Sequence, residues 1–114
     1  MECEMSDQKF NNRIMANEVE DFFNSYGQFQ NLVMIDLRPA RDVKEGTIPQ
    51  SINVDFDEFD EEYIQENFSK DKIYLLFCAT AVRSCVVAEM FEEAGYPEVY
   101  FLDKGYRSWK NVLG

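Results

Sequence analysis

The apolar and polar positions divide the chain into short alternating segments. Residues 1–12 are polar with scattered Met and Phe and carry no period, so a flexible leader is expected there and a folded domain over 13–114. Val19, Phe22 and Phe23 fall at i, i+3 and i+4, which predicts a helix from Ala16 that stops at Tyr26 and Gly27. Leu32 to Leu37 is a continuous apolar run, the mark of a strand buried on both faces in a parallel sheet, and Arg38-Pro39 ends it. Residues 40–51, with Gly46 and Pro49, read as loop, and Ile52-Asn53-Val54 as a further short strand. Phe56, Phe59, Tyr63 and Phe68 share one side of an otherwise acidic helix over about 57–66.

After a polar turn, Ile73 to Phe77 forms the most hydrophobic strand and runs directly into Cys78. Val86, Val87, Met90, Phe91 and Ala94 mark one face of a helix that ends at Gly95, with Pro97 beyond it. Glu98 to Leu102 is expected as a strand, and Tyr106 to Leu113 as a closing helix around Trp109. Strand and helix alternate throughout, so an α/β domain is predicted. It has three layers, with a central, mostly parallel sheet of about five short strands and helices on both faces.

Composition narrows the function. With 114 residues, 46% hydrophobic and 15% aromatic, the chain is long enough for one core and too apolar to remain disordered. Twenty-two acidic against eleven basic side chains give a net charge of −11, which disfavours nucleic acid and anionic membranes as partners. The acidic stretch over 57–66 has two readings, a solvated face or a docking face for a basic protein. No apolar run is long enough for a membrane span and no signal peptide is recognisable, so a cytoplasmic location is expected. Cys3, Cys78 and Cys85 are an odd set without disulfide-scaffold density and are expected to be reduced thiols. The chain has no histidine, so neither a metal nor another cofactor is expected, and a nucleophile must be activated by its surroundings.

Cys78 is the candidate. Ligands of parallel α/β sheets bind at the carboxyl ends of the strands, and Cys78 is the first residue past the central one. Ala79, Thr80, Ala81 and Val82 follow, and Arg83 opens the next helix. Such a connection can direct several main-chain N–H groups inward and, with the helix dipole, favour a thiolate. The plainer reading, a small core hydrophobe, stands beside it at this point.

Three segments carry a family resemblance. Ile35-Asp36-Leu37-Arg38 followed by Asp42 to Val54, then Cys78 to Ser84, then Gly105-Tyr106-Arg107-Ser108-Trp109 resemble, in order, the strand end, active-site loop and closing helix of rhodanese-like domains. The similarity extends from about Ile14 to Leu113. It implies a sulfurtransferase in which Cys78 takes sulfane sulfur from a small donor or a protein persulfide and passes it to a thiol or cyanide-like acceptor. The loop Ala79, Thr80, Ala81, Val82 and Arg83 would bind the anionic sulfur, with Arg38 and Ser84 supporting.

The loop is a residue shorter than in cysteine phosphatases, which makes phosphate or arsenate chemistry a minor alternative. Ala81 stands where the family has glycine, a strained position if φ is positive, and Thr47, Gln50 and Lys104 replace His, Gly and Gly. Arg38 reads more as a structural tie to Asp36 than as a substrate contact, while Cys85 and Trp109 read as packing residues. With Arg83 as the only charge in the loop, a persulfide is expected to be a better donor than thiosulfate. A second function class, a catalytically silent module that binds a partner, is the alternative.

Overall fold

In the computed structural model, the two strongest apolar runs become the strands at the middle of one parallel sheet. The structure describes residues 13–14, 18–26 and 31–113; the expected leader 1–12, with Cys3, lies outside them. The strands are β1 (Arg13–Ile14), β2 (Leu32–Asp36), β3 (Ile52–Asn53), β4 (Ile73–Phe77) and β5 (Val99–Leu102), arranged β1-β5-β4-β2-β3. All pairings are parallel, so the prediction of a parallel five-stranded sheet holds. β1 carries no periodic signal because it is two residues long; it is a strand only because Arg13 and Ile14 pair with Phe101 and Leu102.

Alternation sorts the core. Ile35, Tyr74 and Leu76 face α3 (Glu61–Asn67) and α4 (Val82–Glu93), and Cys78 continues that side. Met34, Leu75 and Phe77 face the other way, in a cluster with Val19 and Phe22 of α1 (Val19–Tyr26) and Tyr106 and Trp109 of α5 (Gly105–Leu113). Burial of both faces is why β2 and β4 lack a polar alternation. Trp109 is only partly buried and leans on Tyr106 at a ring separation of 5.6 Å, so it flanks that cluster rather than plugging a core. Cys78 is a free thiol, as expected, whereas Cys85, 1% exposed, is disulfide-bonded, which corrects the reduced-thiol expectation at that position.

Two expected elements differ. The stretch 40–51 contains one helical turn, α2 (Ala40–Val43), preceded by Pro39 at φ −59°; four residues are too few to show a period. The acidic helix over 57–66 is broken in two, a 3₁₀ turn at Phe56–Glu58 and α3. Asp60 is extended between them and its carboxylate accepts from the Tyr63 N–H at 2.8 Å, as Asp55 does from Asp57 at 2.9 Å. Two of the acids are therefore N-caps, a role that competes with a continuous helix.

Beneath α3 and α4 lies an aromatic layer in which Phe91 meets Tyr74 and Tyr96, each at 5.1 Å. The Tyr74 hydroxyl donates to the Ser69 carbonyl and the Tyr96 hydroxyl to that of Phe68, both at 2.6 Å. Burial pushes the Tyr74 pKa up to about 12 and raises that of Tyr96. The unfolded chain releases these protons near pH 10, so the stability they hold is intact below about pH 10 and is lost as pH climbs toward the raised folded values. Urea titrations at about pH 9, 10 and 11 are expected to show stability falling with pH, with a shallower fall in Tyr74→Phe. Equal slopes in the two proteins would refute this assignment.

Candidate active site

The site forms where the chain reverses its direction of travel across the sheet. From β2 the chain steps outward to β3, then returns to insert β4 between β2 and β5. Crossovers diverge from such a point and leave a crevice at the carboxyl ends of the strands. Asp36 pairs with Phe77, and Leu37 N–H donates to the Phe77 carbonyl at 2.8 Å, which brings Arg38 alongside Cys78.

Cys78 is 4% exposed and lines a cleft of about 340 Å³. Leu37, Pro39, Arg41 and Asp42 form one wall; Ala79, Thr80, Val82 and Arg83 form the other. Val82 is 43% exposed at the rim, and the Arg83 guanidinium lies 5.0 Å over the Phe56 ring. The Cys78 thiol donates to the Thr80 carbonyl at 2.6 Å.

The N-terminus of α5 sets the direction of the loop peptides. Tyr106 N–H donates to the Cys78 carbonyl at 2.7 Å and Arg107 N–H to that of Ala79 at 3.4 Å. Gly105, at φ +71°, sits so close that a β-carbon there would come within 2.5 Å of the Cys78 oxygen and 2.6 Å of the Ala79 oxygen, and nearer still to that of Thr80. Three successive carbonyls therefore face α5. In a trans peptide N–H and C=O point oppositely, so the N–H groups of Ala79, Thr80 and Ala81 point away from it. Among the described residues none of the N–H groups of 79–83 has an acceptor.

Ala81 has φ −98° and ψ −5°, so the strain anticipated there is absent. Its carbonyl accepts from Cys85 N–H at 3.0 Å and from the buried Ser84 hydroxyl at 3.2 Å, so Ala81 and Ser84 brace the loop from behind, outside the cleft lining. The left-handed positions are instead Gln50 (φ 73°) and Lys104 (φ 63°), two of the places where the chain lacks the family's glycine. Each costs on the order of 1 kcal/mol.

Arg38 is consumed by structure. Its Nε and Nη2 grip Asp36 at 3.0 and 2.8 Å, Nη2 also donates to the Gly46 carbonyl at 2.6 Å, and the guanidinium lies 4.0 Å over the Tyr106 ring. Burial alone would lower the Arg38 pKa, but hydrogen bonds and charge from Asp36 leave it raised. Thr47, standing in for the family's histidine, donates its hydroxyl to Asp36 at 2.7 Å, and Asn53 donates to the carbonyls of Asp36 and Arg38, both at 2.9 Å. No periodic signal marks these polar partners, because a hydrogen bond across elements leaves no trace in local spacing.

The mouth is more cationic than its loop sequence implies. Arg41, unremarked in the sequence, reaches the Cys78 cleft with Arg83, while Arg107 lines a second cleft of about 320 Å³ with Arg38, Asp42, Glu45, Gly46, Ala79 and Tyr106. Four of the chain's five arginines thus gather at this edge of a protein of net charge −11. Arg83 remains the only charge of the loop itself, and Arg41 adds a second cation to the cleft from outside it.

This chain has relatives among known proteins. It is 31% identical over 81 residues to the putative sulfurtransferase YtwF of Bacillus subtilis, covering 71% of this chain and 76% of that one. It is 30% identical over 81 residues to the thiosulfate sulfurtransferase GlpE of Coxiella burnetii, covering 71% and 74%. The crystal structure of a rhodanese-related protein from Thermoplasma volcanium superposes with a TM-score of 0.70 at 22% identity, over 90% of this chain and 93% of that one. The sequence profile of the rhodanese-like domain matches residues 15–112, which takes in the Asp36–Arg38 strand end, the Cys78 loop and the α5 glycine, and the chain belongs to that family.

Proposed function

We propose that the chain is a sulfurtransferase in which Cys78 carries sulfane sulfur as a persulfide. The Cys78 thiolate attacks the outer sulfur of the donor; a new S–S bond forms and the donor's own bond breaks, its electron pair leaving with the remainder. A thiolate acceptor then attacks the outer sulfur of the Cys78 persulfide, and the electron pair returns to Cys78. The observation that carries this reading is that, among the described residues, the N–H groups from Ala79 to Arg83 have no acceptor and lie beside a cleft-lining thiol. Donors without acceptors are what an anionic sulfur needs, and their fixed orientation costs no reorganisation during reaction. Loss of the thiol proton also removes the bond to Thr80, which releases the sulfur toward the N–H side.

Thiosulfate and low-molecular-weight or protein persulfides are both admitted as donors. Arg41 opposite Arg83 supplies the second cation that a dianion requires, which removes the reason to rank thiosulfate below persulfides. Arg41→Gln is expected to raise KM for thiosulfate about tenfold, the equivalent of roughly one charge-assisted contact, with little change in kcat. An unchanged KM would exclude Arg41 from donor binding. The decisive experiment is intact-protein mass spectrometry after incubation with thiosulfate or a polysulfide. A gain of one sulfur at Cys78, absent in Cys78→Ser, is expected. No gain with any donor would leave a catalytically silent module that binds a partner.

A further inference from the structure

The second cleft differs in kind from the one that holds Cys78. Arg38 reaches it with Nε and Nη2 held by Asp36 and the Gly46 carbonyl and with the charge of Asp42 acting on it, so the charged side chains there without a hydrogen bond or ion pair among the described residues are Arg107, Asp42 and Glu45. No ion pair among the described residues holds any of the three. Guanidinium charge from Arg107 and from the Nη1 end of Arg38 therefore shares a small cleft with the carboxylates of Asp42 and Glu45. A simple anion gains less here than between Arg41 and Arg83, whereas a molecule with both an amine and a carboxylate satisfies both signs. The two clefts share Arg38, Asp42 and Ala79, and Arg107 is held to the Cys78 loop through its N–H on the Ala79 carbonyl. A molecule seated in the second cleft is thus next to the loop that carries Cys78.

We infer that this cleft is the acceptor subsite and that it takes a small α-amino-acid thiol, with cysteine as the simplest example. Arg107 receives the carboxylate, and Asp42 with Glu45 receives the ammonium group. The inference rests on the persulfide reading for its chemistry. The acceptor thiolate attacks the outer sulfur of the Cys78 persulfide and forms its own S–S bond. The Cys78 S–S bond breaks, its electron pair stays on Cys78, and the persulfide leaves on the amino acid without net oxidation.

Two measurements test it separately from sulfur loading. The first titrates the full Cys78→Ser chain with S-methylcysteine, which cannot react, and follows amide resonances by NMR. Shifts at Gly46, Ala79 and Arg107 are expected; 2-(methylthio)ethanol is expected to cause none, and Arg107→Gln to weaken binding about fivefold. Absence of those shifts overturns the subsite whether or not Cys78 accepts sulfur. The second discharges the preloaded persulfide with cysteine, cysteamine and mercaptoethanol at equal thiolate concentrations. Cysteine is expected to be about tenfold faster than mercaptoethanol. Arg107→Gln should slow cysteine and spare cysteamine, and Asp42→Asn with Glu45→Gln should slow both. Rates equal for all three thiols in the unmodified protein would overturn the inference. If Cys78 never gains sulfur the proposed function fails, and the NMR titration still decides the subsite.

Discussion

Arg38→Ala is expected to destabilise the protein by about 3–5 kcal/mol, the range for breaking a buried ion pair by removing one partner. Asp36 is fully buried, and without the guanidinium its charge is left with the Thr47 hydroxyl and the Arg38 main-chain N–H, at 2.7 and 3.0 Å. The loss extends further than the pair. The same guanidinium holds the Gly46 carbonyl and supports the Tyr106 ring, and Tyr106 in turn donates its N–H to the Cys78 carbonyl. At roughly 4 °C per kcal/mol for a domain of this size, Tm should fall by about 12–20 °C. Combining Arg38→Ala with Asp36→Ala should cost less than the two single losses added together, because the second change removes the stranded charge. A single-variant loss under about 1 kcal/mol in urea unfolding would mean that the pair contributes nothing of this kind.

Gly105→Ala is expected to damage the site and the fold together. The residue sits at φ +71°, which costs an L side chain on the order of 1 kcal/mol. The added methyl would also meet the Cys78, Ala79 and Thr80 carbonyl oxygens, all of them backbone and none able to swing aside. Overpacking of this severity adds about 1–3 kcal/mol, for a total of about 2–4 kcal/mol. If the chain relieves the clash by moving the loop, the three peptides rotate and the N–H groups of Ala79 to Ala81 lose their common direction. Sulfur loading of Cys78 should then fall even at temperatures where circular dichroism shows the variant folded. Gly95→Ala is the control: its φ of +92° carries comparable strain, but the nearest atom is the end of the flexible Lys70 side chain at 3.2 Å. It should lose stability and keep sulfur loading. Equal loading in the Gly105 variant and the unmodified chain would detach α5 from the organisation of the loop.

The periodic parts of this protein are legible from spacing alone. Met34, Ile35, Leu75 and Leu76 had to lie in buried strands because a continuous apolar run can be satisfied only by covering both sheet faces. The same logic places Cys78 at the exit of β4, since the strand ends where the apolar run ends. Local competition was less visible. Asp60 could extend a helix or cap one, and the cap won because its carboxylate takes the otherwise unpaired Tyr63 N–H.

The electrostatics of the mouth belong to the tertiary structure. Arg41 and Arg83 come from opposite walls of one cleft because the chain returned from β3 to place β4 beside β2, a reversal that no local period encodes. Arg107 and Glu45 meet across a second cleft for the same reason. Ala81 escapes strain, while Lys104 bears it, because α5 dictates the direction of the loop peptides from outside the loop. Element type and order follow from near-neighbour patterning of hydrophobic residues, which acts along the chain. The charges and N–H groups that meet at Cys78 follow from contacts between distant segments, which exist only once the sheet has assembled.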